Sequence, residues 1–326
     1  MNCELKNIKC DPGFQTNRWR NELRRRWQTA GRPMLLALLC GLGASSGQAG
    51  TVGGKMLKIT TKDVGGSTHF YVQNMEAADV TATLSLQMTN LSCSTNFPFT
   101  ATFPGSQTVE AFTLSPVEAG IPWSFNYANS FTIGNNMAVH DDTYIYSLPY
   151  MAGQSFRVTQ GYHGKYSHMG PDDYATDWKM PVGTPVHAAR GGVVVKSKDD
   201  SDQGGPDRKF ENCANCVLIQ HVDGTIGIYA HLMKDGSRVR VGDNVKPGDL
   251  IALSGNTGFT SGPHLHFSVF KTKSGTERQS LPVRFKTGNE GVVTLLSGQN
   301  YKSAPNEVQE AKVQAPLVAK EDKKKS

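Results

Sequence analysis

The sequence predicts an all-β protein in two units, and three observations carry that prediction. Apolar and polar side chains alternate with period two from about residue 55 to 145. Clusters of Gly, Pro and Asn break the chain at short intervals, with 34 Gly and 16 Pro overall. Nothing in 55–145 repeats apolar residues at helical spacing. A length of 326 residues fits about two domains at roughly 100–200 residues each.

Residues 1–49 read as a signal peptide. Residues 1–33 carry eight basic and three acidic side chains. The uncharged run Met34-Leu-Leu-Ala-Leu-Leu-Cys-Gly-Leu42 follows, then the small-residue stretch Gly43-Ala-Ser-Ser-Gly-Gln-Ala49. That apolar run is shorter than the ~20 residues a spanning helix needs, and no longer one occurs, so the mature chain is expected to have no transmembrane segment. The formal charge of +6 loses five units with residues 1–33, which leaves 6 − 5 = +1. A nucleic-acid partner is therefore not expected. Cleavage also removes Cys3, Cys10 and Cys40, leaving Cys93, Cys213 and Cys216. Cys213-Ala-Asn-Cys216 reads as a small structural disulfide, because a structural zinc would require a second pair of ligands.

Residues 50–145 are expected to form an immunoglobulin-like β-sandwich, an accessory module. Its clearest strand is Val80-Thr-Ala-Thr-Leu-Ser-Leu-Gln-Met88, with Val80, Ala82, Leu84, Leu86 and Met88 on one face. Trp123-Ser-Phe-Asn-Tyr127 alternates in the same way. Residues 146–290 form the second unit. There Cys216–Val222 and Thr225–Tyr229 read as strands joined by a two-residue Asp223-Gly224 hairpin. Val239–Ala252 reads as short strands between Gly turns, a pattern shared with biotinyl and lipoyl carriers, but no lysine sits at a hairpin tip. Residues 291–326 turn polar and read as a disordered tail ending in Lys320-Glu-Asp-Lys-Lys-Lys-Ser326.

Seven of the nine histidines fall between 163 and 266. In His264-Leu-His266 the two imidazoles share one strand face, roughly 6.5–7 Å apart at Cα, while Leu265 packs on the other. Upstream, His168 is followed by Asp172, Asp173 and Asp177, and Tyr229-Ala-His231-Leu232 stands between the two blocks. A hydrolytic zinc takes three His or carboxylate ligands and keeps a fourth position open. His168, one carboxylate and one of the paired histidines meet that count. His231 and the other paired histidine then remain for proton transfer and oxyanion stabilisation. His163, His187 and His221 read as turn or structural residues. No Gly-x-Ser-x-Gly elbow occurs, and Asp202–Asp207 lacks the Lys-Ser/Thr of a phosphate loop.

These blocks resemble the lysostaphin/LytM-type zinc endopeptidases, which cut peptide bonds in peptidoglycan. The signatures are a His-x-Gly-x-Asp block, a lone His in Tyr-x-His-Leu, and His-x-His, and the likeness covers about 155–275. It implies a duplicated-hybrid-motif (barrel-sandwich hybrid) catalytic domain with an open groove. It also implies one Zn2+ per chain on His168, Asp177 and His266, with His231 and His264 as the catalytic pair. His168-Met-Gly-Pro-Asp172 fits the literal block. However, Asp177 precedes Pro181 and Gly183-Thr-Pro-Val186 at the family's spacing, and Tyr174-Ala-Thr-Asp177 matches members with an insertion. Asp177 is therefore the favoured ligand and Asp172 the alternative.

The implied activity is hydrolysis of the stem-peptide cross-links of peptidoglycan by a zinc-activated water, outside the cytoplasm, in the periplasm or after secretion. The alternatives are a catalytically silent regulator of another cell-wall hydrolase and a wall-binding scaffold in which 55–145 does the work. The presence of all five residues favours the enzyme. Which peptide bond is cut, and the oligomeric state, are not encoded in these motifs.

Overall fold

The computed structural model describes residues 52–53 and 56–305. The expected signal peptide 1–49 and the end of the expected tail, from 306, lie outside the described residues. Among the described residues strands dominate, and helix is confined to two 3-10 turns, Gly170–Asp172 and Arg208–Cys213. Among the described residues no helix is long and apolar enough to cross a membrane. The described chain divides into two compact units. One comprises residues up to Ile133 together with Ser274–Thr276, and the other Gly134–Lys273 with 277–305.

The first unit holds β1 (Val52–Gly53), β2 (Leu57–Val64), β3 (Ser67–Asn74), β4 (Val80–Thr89), β5 (Leu91–Cys93), β6 (Phe99–Phe103), β7 (Thr108–Pro116) and β8 (Ser124–Ile133). They form a five-stranded sheet, β1-β2-β3-β7-β5, and a three-stranded one, β6-β4-β8. Alternation decides what each sheet buries. Phe70 and Val72 of β3 and Phe112 and Leu114 of β7 share one core with Val80, Ala82 and Leu84 of β4. The Phe70 and Phe112 rings stack at 4.5 Å.

The second unit begins at Gly134 rather than at 146. Residues 134–144 are held in it because Val139 N–H donates to the Asp223 carbonyl at 3.2 Å and Tyr144 lies 4.2 Å from the Arg190 guanidinium carbon. Its strands are β9 (Ile145–Ser147), β10 (Ser155–Gln160), β11 (Thr176–Lys179), β12 (Pro185–His187), β13 (Gly192–Lys198), β14 (Gly204–Gly205), β15 (Cys216–Gln220), β16 (Ile226–Ala230) and β17 (Leu232–Ser237). They continue as β18 (Asn244–Val245), β19 (Leu250–Ser254), β20 (Gly258–Phe259), β21 (His264–Thr272), β22 (Arg278–Leu281), β23 (Arg284–Thr287), β24 (Gly291–Val293) and β25 (Asn300–Lys302). The main sheet runs β18-β13-β15-β16-β21-β11-β10-β25, with β22 also on β21; β12-β19-β17 and β24-β23-β9 form smaller sheets. The last two strands lie beyond residue 290, where the sequence suggested a disordered tail. Leu295 and Tyr301 are buried in the core there, and Tyr150 Oη donates to the Tyr301 carbonyl at 2.7 Å.

Two local readings change. The connection between β15 and β16 is five residues, 221–225, not a two-residue hairpin. The Asp223 carboxylate accepts from Thr225 N–H at 3.0 Å and Thr225 Oγ1 at 2.6 Å, and so closes a turn of its own. Cys213 and Cys216 are free thiols, and the segment between them is held by Asn215 instead.

Trp178 of β11 is fully buried between Tyr150, Phe267 and Phe285. Trp178→Ala is expected to cost about 3–5 kcal/mol, read as a lowered urea midpoint, and to loosen the strand that carries Asp177.

Candidate metal centre

The centre is laid out by strand register. β11 and β21 are antiparallel, with Asp177 opposite His266, Trp178 opposite Leu265, and Lys179 opposite His264. Opposite residues in such a pair project to the same face. Trp178 and Leu265, both 0% exposed, point to the core, so Asp177, His266, His264 and Lys179 share the other face. On the far side of β21, Ala230 is opposite His266, and the next residue is His231. His231 sits in the kink between β16 and β17 with φ of 62°, a left-handed conformation that costs a non-Gly residue about 1–3 kcal/mol. Gly255 approaches this kink so closely that a Cβ there would collide with the Leu232 and Met233 backbone.

His168 arrives from the 161–175 segment and is completely buried. Its Nδ1 donates to the Gly161 carbonyl at 2.9 Å, which in the neutral ring leaves a lone pair on Nε2. That Nε2 is a buried atom without a hydrogen-bond partner, although Asp177 Oδ2 lies 3.1 Å away. The oxygen is off the axis along which the ring would donate. Two acceptor atoms thus stand 3.1 Å apart with no hydrogen between them, an arrangement that a cation held by both would relieve. On its other oxygen Asp177 meets His266 Nδ1 at 2.9 Å. The donor atoms of His168, Asp177 and His266 all lie within 4.8 Å of one another. Ligand atoms about 2.0–2.1 Å from a tetrahedral zinc stand roughly 3.3 Å apart, and each imidazole is about that far from one oxygen of the carboxylate, His266 from Oδ1 at 2.9 Å and His168 from Oδ2 at 3.1 Å. One carboxylate and two imidazoles are a zinc-type donor set.

Electrostatics agree with an anionic carboxylate at the centre. Burial pushes the Asp177 carboxyl up, but the hydrogen bond from His266 and the closeness of the two imidazoles override it and hold the group well below the usual carboxylate range. Burial opposes a charged His266, yet Asp177 raises it above the ordinary histidine value. His231 is pulled down to about 3, first by burial and then by the neighbouring His264 and His266.

His231 and His264 face each other with ring centroids 4.5 Å apart. His231 Nδ1 donates to the Thr257 carbonyl at 2.7 Å, and His264 Nδ1 to the Gly262 carbonyl at 2.8 Å. Both rings therefore present Nε2, and that of His264 is 4.0 Å from Asp177 Oδ2. Such a pair can take up and return a proton next to a bound cation.

Several supporting residues escaped the motif reading. Gln160 Nε2 reaches Asp177 Oδ2 at 3.3 Å and Ser167 Oγ at 2.7 Å. Asn215 N–H donates to Thr257 Oγ1 at 3.0 Å, and its amide donates to the Ser201 and Leu232 carbonyls. Thr257 thus ties the 199–213 segment to the carbonyl that holds His231. The Asn between the two cysteines was the available signal.

Asp172 is not among the trio. It forms a two-pronged ion pair with Arg278 at 2.9 and 2.8 Å. His163 sits in a turn with φ of 54°, its ring 5.0 Å from Tyr174. His187 and His221 are buried elsewhere, on the Gly248 carbonyl and Thr225 Oγ1.

Comparison with known proteins gives the family context. Residues 172–279 match the model of Peptidase family M23, a segment that contains Asp177, His231, His264 and His266 and starts just after His168. An uncharacterized metalloprotease of Buchnera aphidicola subsp. Baizongia pistaciae is 38% identical over 108 residues, 33% of this chain and 26% of that protein. Peptidoglycan DD-endopeptidase ShyA of Vibrio cholerae is 40% identical over 94 residues, 29% of this chain and 19% of its own length. Glycyl-glycine endopeptidase ALE-1 of Staphylococcus capitis is 32% identical over 147 residues, 41% of this chain and 38% of its own. The chain thus spans between about a fifth and two fifths of the length of these relatives. Among solved structures, the catalytic domain of lysostaphin from Staphylococcus simulans is 27% identical, covering 39% of this chain and 87% of that one with a TM-score of 0.28. Residues 172–279 are a Peptidase family M23 domain.

Proposed function

We propose that the second unit is a zinc-dependent endopeptidase that hydrolyses peptide cross-links of bacterial peptidoglycan, and that the chain is exported to act there, in the periplasm or after secretion. The observation that carries this reading is the buried, unpartnered Nε2 of His168 beside the Asp177–His266 pair. The names of the relatives, a peptidoglycan DD-endopeptidase and a glycyl-glycine endopeptidase, support the substrate class. The first unit is proposed as an immunoglobulin-like accessory module.

In this reading His168, Asp177 and His266 hold the ion. Zinc there supplies Lewis acidity, which acidifies water and polarises a carbonyl. The chain's own residues do the rest. His231, neutral across the working range, accepts the attacking water's proton at Nε2 while the Thr257 carbonyl fixes its ring. His264 Nε2 faces the same space, stabilises the tetrahedral oxyanion when protonated, and hands a proton to the leaving amine. Asp177, supported by Gln160, keeps the donor face anionic.

The test is digestion of isolated peptidoglycan by the purified chain, with mass spectrometry of the fragments. Cleaved cross-links are expected, lost in EDTA and restored by one equivalent of zinc. Stoichiometric zinc without any released fragment would favour the silent regulator instead.

A further inference from the structure

We propose that Lys179 is a specificity-determining residue whose ammonium, on the groove face beside His264, binds a carboxylate of the peptide being cut. The role rests on the peptidase reading above. Its basis is the register of β11 on β21, which sets Lys179 opposite His264 and, two positions along the same strand face, next to Asp177. The Cβ atoms of opposite residues stand about 4.5–5.5 Å apart, and Asp177 and Lys179 roughly 6.5–7 Å apart along the strand. Lys179 is the exposed residue of the strand, where Thr176, Asp177 and Trp178 are buried. The ammonium therefore rises from the same surface as the donor trio and the imidazole pair, on a stem long enough to reach a ligand lying over His264.

The charge has no ion-pair partner among the described residues, unlike several cations of the unit that are neutralised by a neighbouring carboxylate. Arg278 is paired with Asp172 at 2.8 Å, Arg190 with Asp223 at 2.7 Å, Lys198 with Asp200 at 2.8 Å and Lys234 with Asp202 at 3.2 Å. Arg157 of the neighbouring β10 turns its guanidinium to Gly298, 3.7 Å from where a Cβ would stand, on the β25 side of the strand. A strand position in the middle of a sheet, between buried Trp178 and buried Met180, gives Lys179 no packing role. A flexible point charge suits a carboxylate without demanding one approach geometry. Lys179 carries the exposed ammonium at this edge of the centre, and a carboxylate lying over His264 meets it.

The experiment is fluorescence anisotropy of three labelled Ala-rich peptides with the full chain in EDTA, so that nothing is turned over. One peptide is blocked at both ends, one has a free C-terminal carboxylate, and one is blocked but carries a single Glu. The wild type is expected to bind at least one acidic peptide about tenfold more tightly than the neutral one, a preference that fades as salt is raised. Lys179→Gln should level the peptides and Lys179→Arg should keep the preference. Which acidic peptide responds distinguishes a terminal from a side-chain carboxylate. No preference in the wild type, or one that survives Lys179→Gln, overturns the proposal. Because binding is read without turnover, a wild type that leaves peptidoglycan intact counts against the peptidase reading alone.

Discussion

Asp177→Asn is expected to abolish zinc uptake and to lower kcat/KM on peptidoglycan at least about a thousandfold. The side chain keeps its size, so the loss isolates the charge. Asp177 is the only anion of the donor trio, and Lewis-acid stabilisation is worth several kcal/mol, where about 1.4 kcal/mol is a factor of ten. The same carboxylate has a second, opposite signature in metal-free protein. It raises His266 above its ordinary value. A group raised on folding contributes stability in full below its unfolded value of about 6.5 and loses it as pH rises through the folded value. Asp177 itself, held low on folding, contributes above about 3.9 and loses that only in strong acid. In EDTA the gap in urea midpoint between wild type and Asp177→Asn should thus be widest at about pH 5–6 and narrow above neutrality. Zinc affinity should climb over the same interval, because His266 must release a proton to bind, and calorimetric titration at several pH values measures this directly. Retained stoichiometric zinc in Asp177→Asn would remove the carboxylate from the centre.

His231→Ala and His264→Ala should separate chemistry from metal holding. Each is expected to keep about one zinc per chain while kcat falls by about 10²–10⁴, the usual contribution of a positioned acid or base. The rings face each other at 4.5 Å and act on one proton path. The double variant should therefore fall little below the worse single one, since residues that work as a unit are not additive. The His231 pKa near 3 also predicts that the acid limb of the pH–rate profile does not follow His231. It follows His266, whose protonated form competes with zinc, and lies above the ordinary histidine value in weakly metallated protein. Zinc analysis beside initial rates is the measurement. An unimpaired rate in either single variant would sink the role given to that ring.

What the sequence disclosed and what it hid have different physical origins. The shared face of His264 and His266 follows from period-two geometry, which needs no knowledge of the partner strand. Between Asp172 and Asp177 the sequence offered two conflicting spacings: the literal His-x-Gly-x-Asp match points to Asp172, which neutralises Arg278 from a 3-10 turn, and the distance to Pro181 points to Asp177, which stands opposite His266. Thr257 and Gln160 were illegible because each acts across a gap in sequence, Thr257 on His231 and Gln160 on Asp177, and Asn215, although marked by its place between two cysteines, acts on Thr257 in the same way. The Asp223-Gly224 hairpin failed for a local reason, since an Asp side chain can close a wider turn by itself. The strands beyond 290 were overlooked although Val292-Val-Thr-Leu-Leu296 is apolar, because the charged end of the chain masked it; Val293, Leu295 and Tyr301 bind the stretch to the core.

The register of β11 on β21 also bears on how such a centre can change through evolution. Chain length between His168 and Asp177 can drift at its exposed start, residues 169–171, although Asp172 on Arg278 and Thr176 in β11 are held. The pairing of Asp177 with His266 has no such freedom. One residue gained or lost inside β11 would exchange Asp177 for Trp178 on the face that carries His264 and His266, and would turn the carboxylate into the core. Insertions are thus tolerated before the carboxylate and forbidden after it. Heredity can lengthen the loops of this centre, while its strands must be inherited whole.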